Sequence, residues 1–76
     1  LNALEEEGLA ENTVVIYMTD HGFLTGQHGR LEKHCLYDEA IRIPLTIRYP
    51  GKIKPGTVIK GMTESLDVPG TLLDLL

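Results

Sequence analysis

The apolar positions change period along the chain, and each change predicts an element. Leu1 and Leu4 share one face of a helical period, and Glu5, Glu6 and Glu7 read as its solvated side. Gly8 suits the left-handed residue that follows a helix end. Leu9 falls where a Schellman motif sets an apolar contact back to Leu4. Glu11-Asn12 reads as a turn. Thr13-Val14-Val15-Ile16-Tyr17-Met18 is β-branched and apolar on both alternating faces. Such a run predicts a strand covered on both sides, as in a parallel α/β sheet.

From Thr19 to His34 no period survives. Gly22, Gly26 and Gly29 and the three histidines His21, His28 and His34 share this segment. A loop of this length in a small domain is commonly functional. It starts at the carboxyl end of the predicted strand, where open α/β sheets place their ligands. Leu36 to Ala40 predicts a helical turn. Ile41-Arg42-Ile43-Pro44 leads into a second strand, in which Leu45, Ile47 and Tyr49 alternate with Thr46 and Arg48. Pro50-Gly51 and Pro55-Gly56 are turns, and Val58 to Leu66 predicts another short strand. Asp67 reads as the N-cap of a last helix, with Pro69 in its first turn and Leu72, Leu73, Leu75 and Leu76 as its apolar positions. The expected class is α/β: part of a mainly parallel sheet flanked by helices.

Composition narrows the function classes. The chain has 76 residues and a formal net charge of −4. That balance argues against nucleic acid and anionic membranes as partners. At 42% hydrophobic and 24% charged, the chain is globular in composition. No apolar run reaches the roughly 18 residues of a membrane span. A single cysteine excludes an internal disulfide framework and leaves the redox compartment open. The chain begins inside one predicted helix and stops inside another, without a targeting pattern. The expectation is one partial domain over residues 1–76, with no second domain.

The candidate chemistry is concentrated in the loop. Asp20 and His21 leave the strand together, and Gly22 permits the backbone to turn behind them. A carboxylate with an imidazole suits Ca²⁺, Mg²⁺ or Mn²⁺, or zinc if more nitrogen joins. The residues alone leave a second reading open, in which Asp20 caps a turn and His21 is solvated. His28, His34 and Cys35 match no zinc spacing with His21. Cys35 before apolar Leu36 reads as an inert thiol rather than a nucleophile. Lys33 is either a solvated charge or, opposite an anionic substrate, a group that stabilises charge on a transferring group. Glu32 beside it weakens a simple anion site.

These residues resemble a known family. Asn12-Thr13-Val14-Val15-Ile16-Tyr17-Met18-Thr19-Asp20-His21-Gly22 is similar to the strand and metal loop of the sulfatases, within the alkaline phosphatase superfamily. Lys33 to Leu45 resembles the family's Lys-x-x-x-Tyr-(Asp/Glu)-Glu-x-x-Arg-(Val/Ile)-Pro-Leu segment. Arg48-Tyr49-Pro50-Gly51 and Asp67-Val68-Pro69-Gly70-Thr71-Leu72-Leu73 resemble the stretch that follows.

The resemblance implies an alkaline-phosphatase-like fold and a metal-dependent sulfuric ester hydrolase. It implies Asp20 and His21 as metal ligands, most readily for Ca²⁺, and Lys33 as the catalytic contact to the sulfate group or leaving oxygen. It places His28 in the Gly-x-His-Gly stretch Gly26 to Gly29, either lining the substrate pocket or shaping the loop. Where the family often has Leu-Trp-Gly before the lysine, this chain has Arg30-Leu31-Glu32. The Cys-x-Pro-x-Arg segment, whose cysteine becomes the formylglycine nucleophile, has no counterpart, and Cys35 does not fit it.

The implied partners are a sulfate-ester small molecule or sulfated glycan and the remainder of the catalytic domain. The implied setting is periplasmic or secreted. These residues alone are expected not to hydrolyse sulfate esters. Two other readings stand beside this one: a phosphodiester or phosphonate monoester hydrolase of the same superfamily, and a non-catalytic metal-binding module.

Overall fold

In the computed structural model, which describes residues 1–76, helix α1 spans Asn2–Glu6 and stops as its sequence dictates. Gly8 adopts φ = +68°, a conformation that costs glycine nothing sterically. Its N–H donates to the Glu5 carbonyl at 3.1 Å, and the Leu9 N–H donates to the Leu4 carbonyl at 2.8 Å. Those are the two backbone bonds of a Schellman cap. A 3₁₀ turn at Ala10–Asn12 then feeds strand β1, Val15–Met18.

Strand β1 pairs with β2, Leu45–Arg48. The pairing is antiparallel, with Val15 opposite Arg48 and Met18 opposite Leu45. The α/β content of the expected fold therefore stands, while its mainly parallel sheet is not shown by the one strand pair present. The reason is the connection from Thr19 to Pro44, which begins and ends at the same end of the sheet. The connection carries one short α-helix, α2 (Asp38–Ile41).

Three expectations are corrected. Strand β1 starts at Val15 rather than Thr13, and it is not covered on both faces. Val15 and Ile16 are half-buried, whereas Tyr17 is 69% exposed, because the sheet has two strands and no helix lies across it. Val58 to Leu66 forms no strand; Val58, Ile59 and Met62 are exposed, and residues 58–63 make no backbone hydrogen bond. Asp67 is the first residue of helix α3 (Asp67–Leu75) rather than its N-cap. Its Oδ2 accepts the Glu64 N–H at 2.8 Å, tying the helix start to the turn before it.

Only Ala10, Leu24, Ala40 and Val68 are buried, and Leu24 alone is fully so. The Cα radius of gyration is 15.9 Å. A compact chain of this length would have about 11 Å. Order in this chain thus rests on local hydrogen bonds more than on a shared core. Arg48 joins β2 to the turn before β1, with Nη1 donating to the Ala10 carbonyl at 2.7 Å and Nη2 lying 3.5 Å from Glu11.

The connection is tied to α2 at Gly22. The Gly22 N–H donates to the Ala40 carbonyl at 2.7 Å. A Cβ at Gly22 would stand 1.9 Å from the Glu39 carbonyl oxygen, so backbone meets backbone with no room for a side chain. Gly22→Ala is expected to destabilise the intact protein by roughly 3 kcal/mol, the upper part of the range for overpacking. Gly8→Ala, with open space around it, should cost about 1–2 kcal/mol from backbone conformation alone. Denaturant titration of both variants checks this. A neutral Gly22→Ala would contradict the close approach.

Candidate metal and anion site

Asp20 and His21 follow β1 directly and turn to the same side of the chain. His21 Nε2 lies 3.5 Å from Asp20 Oδ2. The local backbone explains the turn. Asp20 Oδ1 accepts the His21 N–H at 3.0 Å and lies 3.4 Å from the Thr19 hydroxyl. The same hydroxyl is 3.2 Å from the His21 carbonyl oxygen. The carboxylate is therefore folded back over its own backbone, a habit of aspartate after a strand.

The imidazole is fixed at its other nitrogen. His21 Nδ1 lies 2.7 Å from the Gly22 carbonyl oxygen. A carbonyl only accepts, so Nδ1 carries the proton, and in the neutral ring Nε2 keeps the lone pair. Metal-ligating histidines are commonly oriented by this type of outer contact. The Lys33 Nζ stands 2.7 Å from Nε2 and donates to that lone pair. Asp20, His21 and Lys33, the first and last thirteen positions apart in sequence, thus meet at one place.

The loop between them explains how Lys33 returns. The Leu24 N–H donates to the Glu32 carbonyl at 2.8 Å, and the Gly26 N–H to the Arg30 carbonyl at 3.0 Å. This short ladder closes on a 3₁₀ turn at Gln27–Gly29. Leu24, fully buried, anchors its base. Lys33 then leaves the ladder beside the strand end it started from. Glu32 does not oppose it, because the Arg30 guanidinium engages the Glu32 carboxylate. That hydrogen bond and the adjacent negative charge hold the guanidinium pKa above its ordinary value.

His28 is elsewhere. Its ring stacks on Tyr37, with centroids 3.8 Å apart and planes within 8°. Its Nε2 lies 3.5 Å from Glu39 Oε2. It adopts φ = 55°, the left-handed region. A stacked pair contributes about 0.5–1.5 kcal/mol beyond burial. The left-handed backbone costs about 1–2 kcal/mol. The two nearly cancel, so His28 fixes position more than it adds stability. The Tyr37 and Glu39 contacts and the Ala40 carbonyl carry no spacing signal in the sequence.

The donor set fits a divalent cation in part. Donors bound at about 2.4 Å to one Ca²⁺ lie at most about 4.8 Å apart. The 3.5 Å between Asp20 Oδ2 and His21 Nε2 meets that limit. No group of three or more His, Cys, Asp or Glu side chains converges. The chain therefore supplies two donors of the 6–8 that Ca²⁺ takes. A groove of about 840 Å³ passes Asp20 on the other side, lined by Met18, Arg42, Met62 and Val68 among others. His21, His28 and Lys33 do not line it, so the chemistry sits at its rim.

The whole chain, residues 1–76, matches the family model described as Sulfatase. It is 42% identical to an N-acetylglucosamine-6-O-sulfatase of Bacteroides thetaiotaomicron over 97% of this chain and 13% of that protein. It is 40% identical to the iduronate 2-sulfatase of Mus musculus over 72% of this chain and 10% of that protein. It is 34% identical to the arylsulfatase K of Homo sapiens over 96% of this chain and 13% of that protein. The chain thus spans about an eighth of the length of the relatives it matches. No solved structure matches it.

Desolvation pushes the Asp20 carboxyl upward. The charge of a protonated His21, the Asp20 and His21 amides and the Thr19 hydroxyl together outweigh it and hold the pKa below its ordinary value. The amide and hydroxyl contacts act whether or not the ring is charged. A depressed carboxylate stabilises the fold above its unfolded pKa, and this contribution is lost as pH falls through the folded pKa. A carbon-detected NMR titration of Asp20 should give a midpoint below that of an unstructured aspartyl peptide. Thr19→Val should move it upward. A midpoint at or above the peptide value would contradict the geometry.

Proposed function

The chain belongs to the sulfatase family, and on that premise we propose that it forms one wall of the catalytic centre of a sulfuric ester hydrolase. The remainder of that alkaline-phosphatase-like domain lies outside these residues. The observation that supports this is the meeting of Asp20, His21 and Lys33 at the end of β1. An acidic donor, an imidazole lone pair and an ammonium at one point suit a cation and an anion held side by side.

The roles follow from the atoms. Asp20 offers an exposed carboxylate, kept ionised to low pH. His21 offers Nε2, with its tautomer set by the Gly22 carbonyl. Both would hold a divalent cation, Ca²⁺ by family resemblance, with Mg²⁺ or Mn²⁺ as alternatives. Such a cation would act as a Lewis acid on a sulfate oxygen. Nε2 has one lone pair, so Lys33 cannot share it with a metal. Lys33 then gives up that contact and offers its N–H groups to the sulfuryl oxygens or the leaving oxygen. The nucleophile, a formylglycine by resemblance, comes from outside these residues, since Cys35 lies outside its motif. Sulfated sugars are the first candidate substrates, a reading supported by the relatives named N-acetylglucosamine-6-O-sulfatase and iduronate 2-sulfatase.

In the intact enzyme, Asp20→Ala should remove most activity and weaken cation binding by more than the roughly 10–100-fold that loss of an outer partner costs. Cation content by elemental analysis and turnover of an activated aryl sulfate measure both. Unchanged metal content and activity would refute the assignment.

Lys33→Ala should lower kcat by about 100-fold with a much smaller rise in KM. Activity comparable to the parent would reduce Lys33 to a surface charge. A substrate panel that includes phosphate diesters and phosphonate monoesters separates the ester classes. Preference for the phosphorus esters would move the chain to another branch of the superfamily.

A further inference from the structure

Helix α2 is four residues long, yet both branches of the site lean on it. On one branch, the Ala40 carbonyl accepts the Gly22 N–H at 2.7 Å and so holds the residue that follows Asp20 and His21. On the other, Tyr37 at the N-cap stacks on His28 at 3.8 Å, and Glu39 Oε2 lies 3.5 Å from His28 Nε2. His28 belongs to the loop that carries Lys33. The segment from His28 to Tyr37 is thus closed at both ends, with Lys33 inside it. Closing the ends of a segment restricts the excursions of its middle. Within the segment, the Glu32 carbonyl is held by Leu24, and the Cys35 N–H donates to the Lys33 carbonyl at 2.9 Å. The Lys33 backbone is therefore fixed from both sides, while its side chain alone reaches His21.

We propose that His28 and Tyr37 form a clasp that sets where the Lys33 ammonium stands relative to Asp20 and His21. The proposal rests on the reading of Lys33 as the group that stabilises charge in the transition state. Neither clasp ring is hydrogen-bonded, ion-paired or stacked to Asp20, His21 or Lys33, so both act as positioning residues. Their stacking adds little net stability, because the left-handed backbone of His28 offsets it. What the stack supplies is register between the lysine branch and the metal branch. A displacement of about 1 Å in such a group can cost as much as 100-fold in rate.

The test uses the intact enzyme and variants that separate ring from backbone. His28→Asn tolerates the left-handed conformation but has no ring. His28→Phe keeps a ring and loses the imidazole. Tyr37→Leu and Tyr37→Phe make the same division on the other partner. Two readouts are taken: kcat and KM for an aryl sulfate, and the rate of Lys33 acylation relative to Lys54, mapped by mass spectrometry.

His28→Asn and Tyr37→Leu should each lower kcat by about tenfold or more, with KM within about twofold. Both should also speed Lys33 acylation in the enzyme stripped of metal, where Nζ rests on His21 Nε2 and the lost clasp loosens that contact. His28→Phe and Tyr37→Phe should restore at least about half of kcat, and the double variant should be no worse than the worse single one. The clasp is overturned if His28→Asn and Tyr37→Leu leave kcat and Lys33 acylation unchanged. It is also overturned if His28→Phe falls as far as His28→Asn, because the imidazole would then act by itself. If one ring-less variant does not fold, the other carries the test. If Lys33→Ala is silent while both ring-less variants still speed Lys33 acylation, the catalytic reading of Lys33 fails and the clasp stands.

Discussion

Gly22 and helix α2 approach so closely that no side chain fits between them. The Gly22 amide donates to Ala40 at 2.7 Å, and a Cβ would fall 1.9 Å from the Glu39 carbonyl oxygen. That contact fixes the direction in which the chain leaves β1. It aims the Asp20 and His21 side chains to one side, and it leaves the Gly22 carbonyl facing His21 Nδ1 at 2.7 Å. The tautomer of the imidazole, and so the nitrogen free to bind a cation, follows from where one glycine sits. The antiparallel pairing of β1 with β2 follows the same geometry, because the connection folds back at the end it started from.

Charge is arranged by pairing rather than by burial. Asp20 is 84% exposed at its side chain, so its attraction to His21 is screened by water and weak as a stabiliser. The same pair gains strength only when a site closes over it and the local dielectric falls. Arg30 meanwhile takes up the Glu32 carboxylate and leaves the Lys33 charge unopposed by its neighbour. The arrangement is poor at holding a small chain together and well suited to holding ligands of opposite sign. The exposed apolar positions Tyr17, Met18, Ile59 and Met62 fit that picture, since little of the fold depends on a shared core.

Local features were legible in the sequence and long-range ones were not. The Schellman end at Gly8 and Leu9 was readable because both partners lie within one turn. Strands β1 and β2 were readable from β-branched and alternating positions, although Thr13 and Val14 fell outside the first. Burial and strand direction were not readable. The apolar run of β1 predicts cover that two strands cannot supply, and direction depends on where the Thr19–Pro44 connection returns to the sheet rather than on either strand. Val58 to Leu66 has strand composition, yet residues 58–63 make no backbone hydrogen bond to either open edge of the sheet. The loop's importance was visible from its glycines and histidines. The pairing of Tyr37 with His28, and the approach of Gly22 to Glu39, depend on how the loop folds back, for which no residue spacing is diagnostic.

The central claim is that Asp20, His21 and Lys33 form one site for a cation and a sulfate group. Diffraction from the intact enzyme with Mn²⁺ and a non-hydrolysed sulfate ester, using the anomalous signal to locate the metal, tests it most directly. The account predicts one metal peak shared by an Asp20 carboxylate oxygen and His21 Nε2, with Lys33 Nζ turned from Nε2 to a sulfate oxygen. A metal peak without Asp20 and His21 as ligands, or Lys33 pointing away from the bound sulfate, would contradict it.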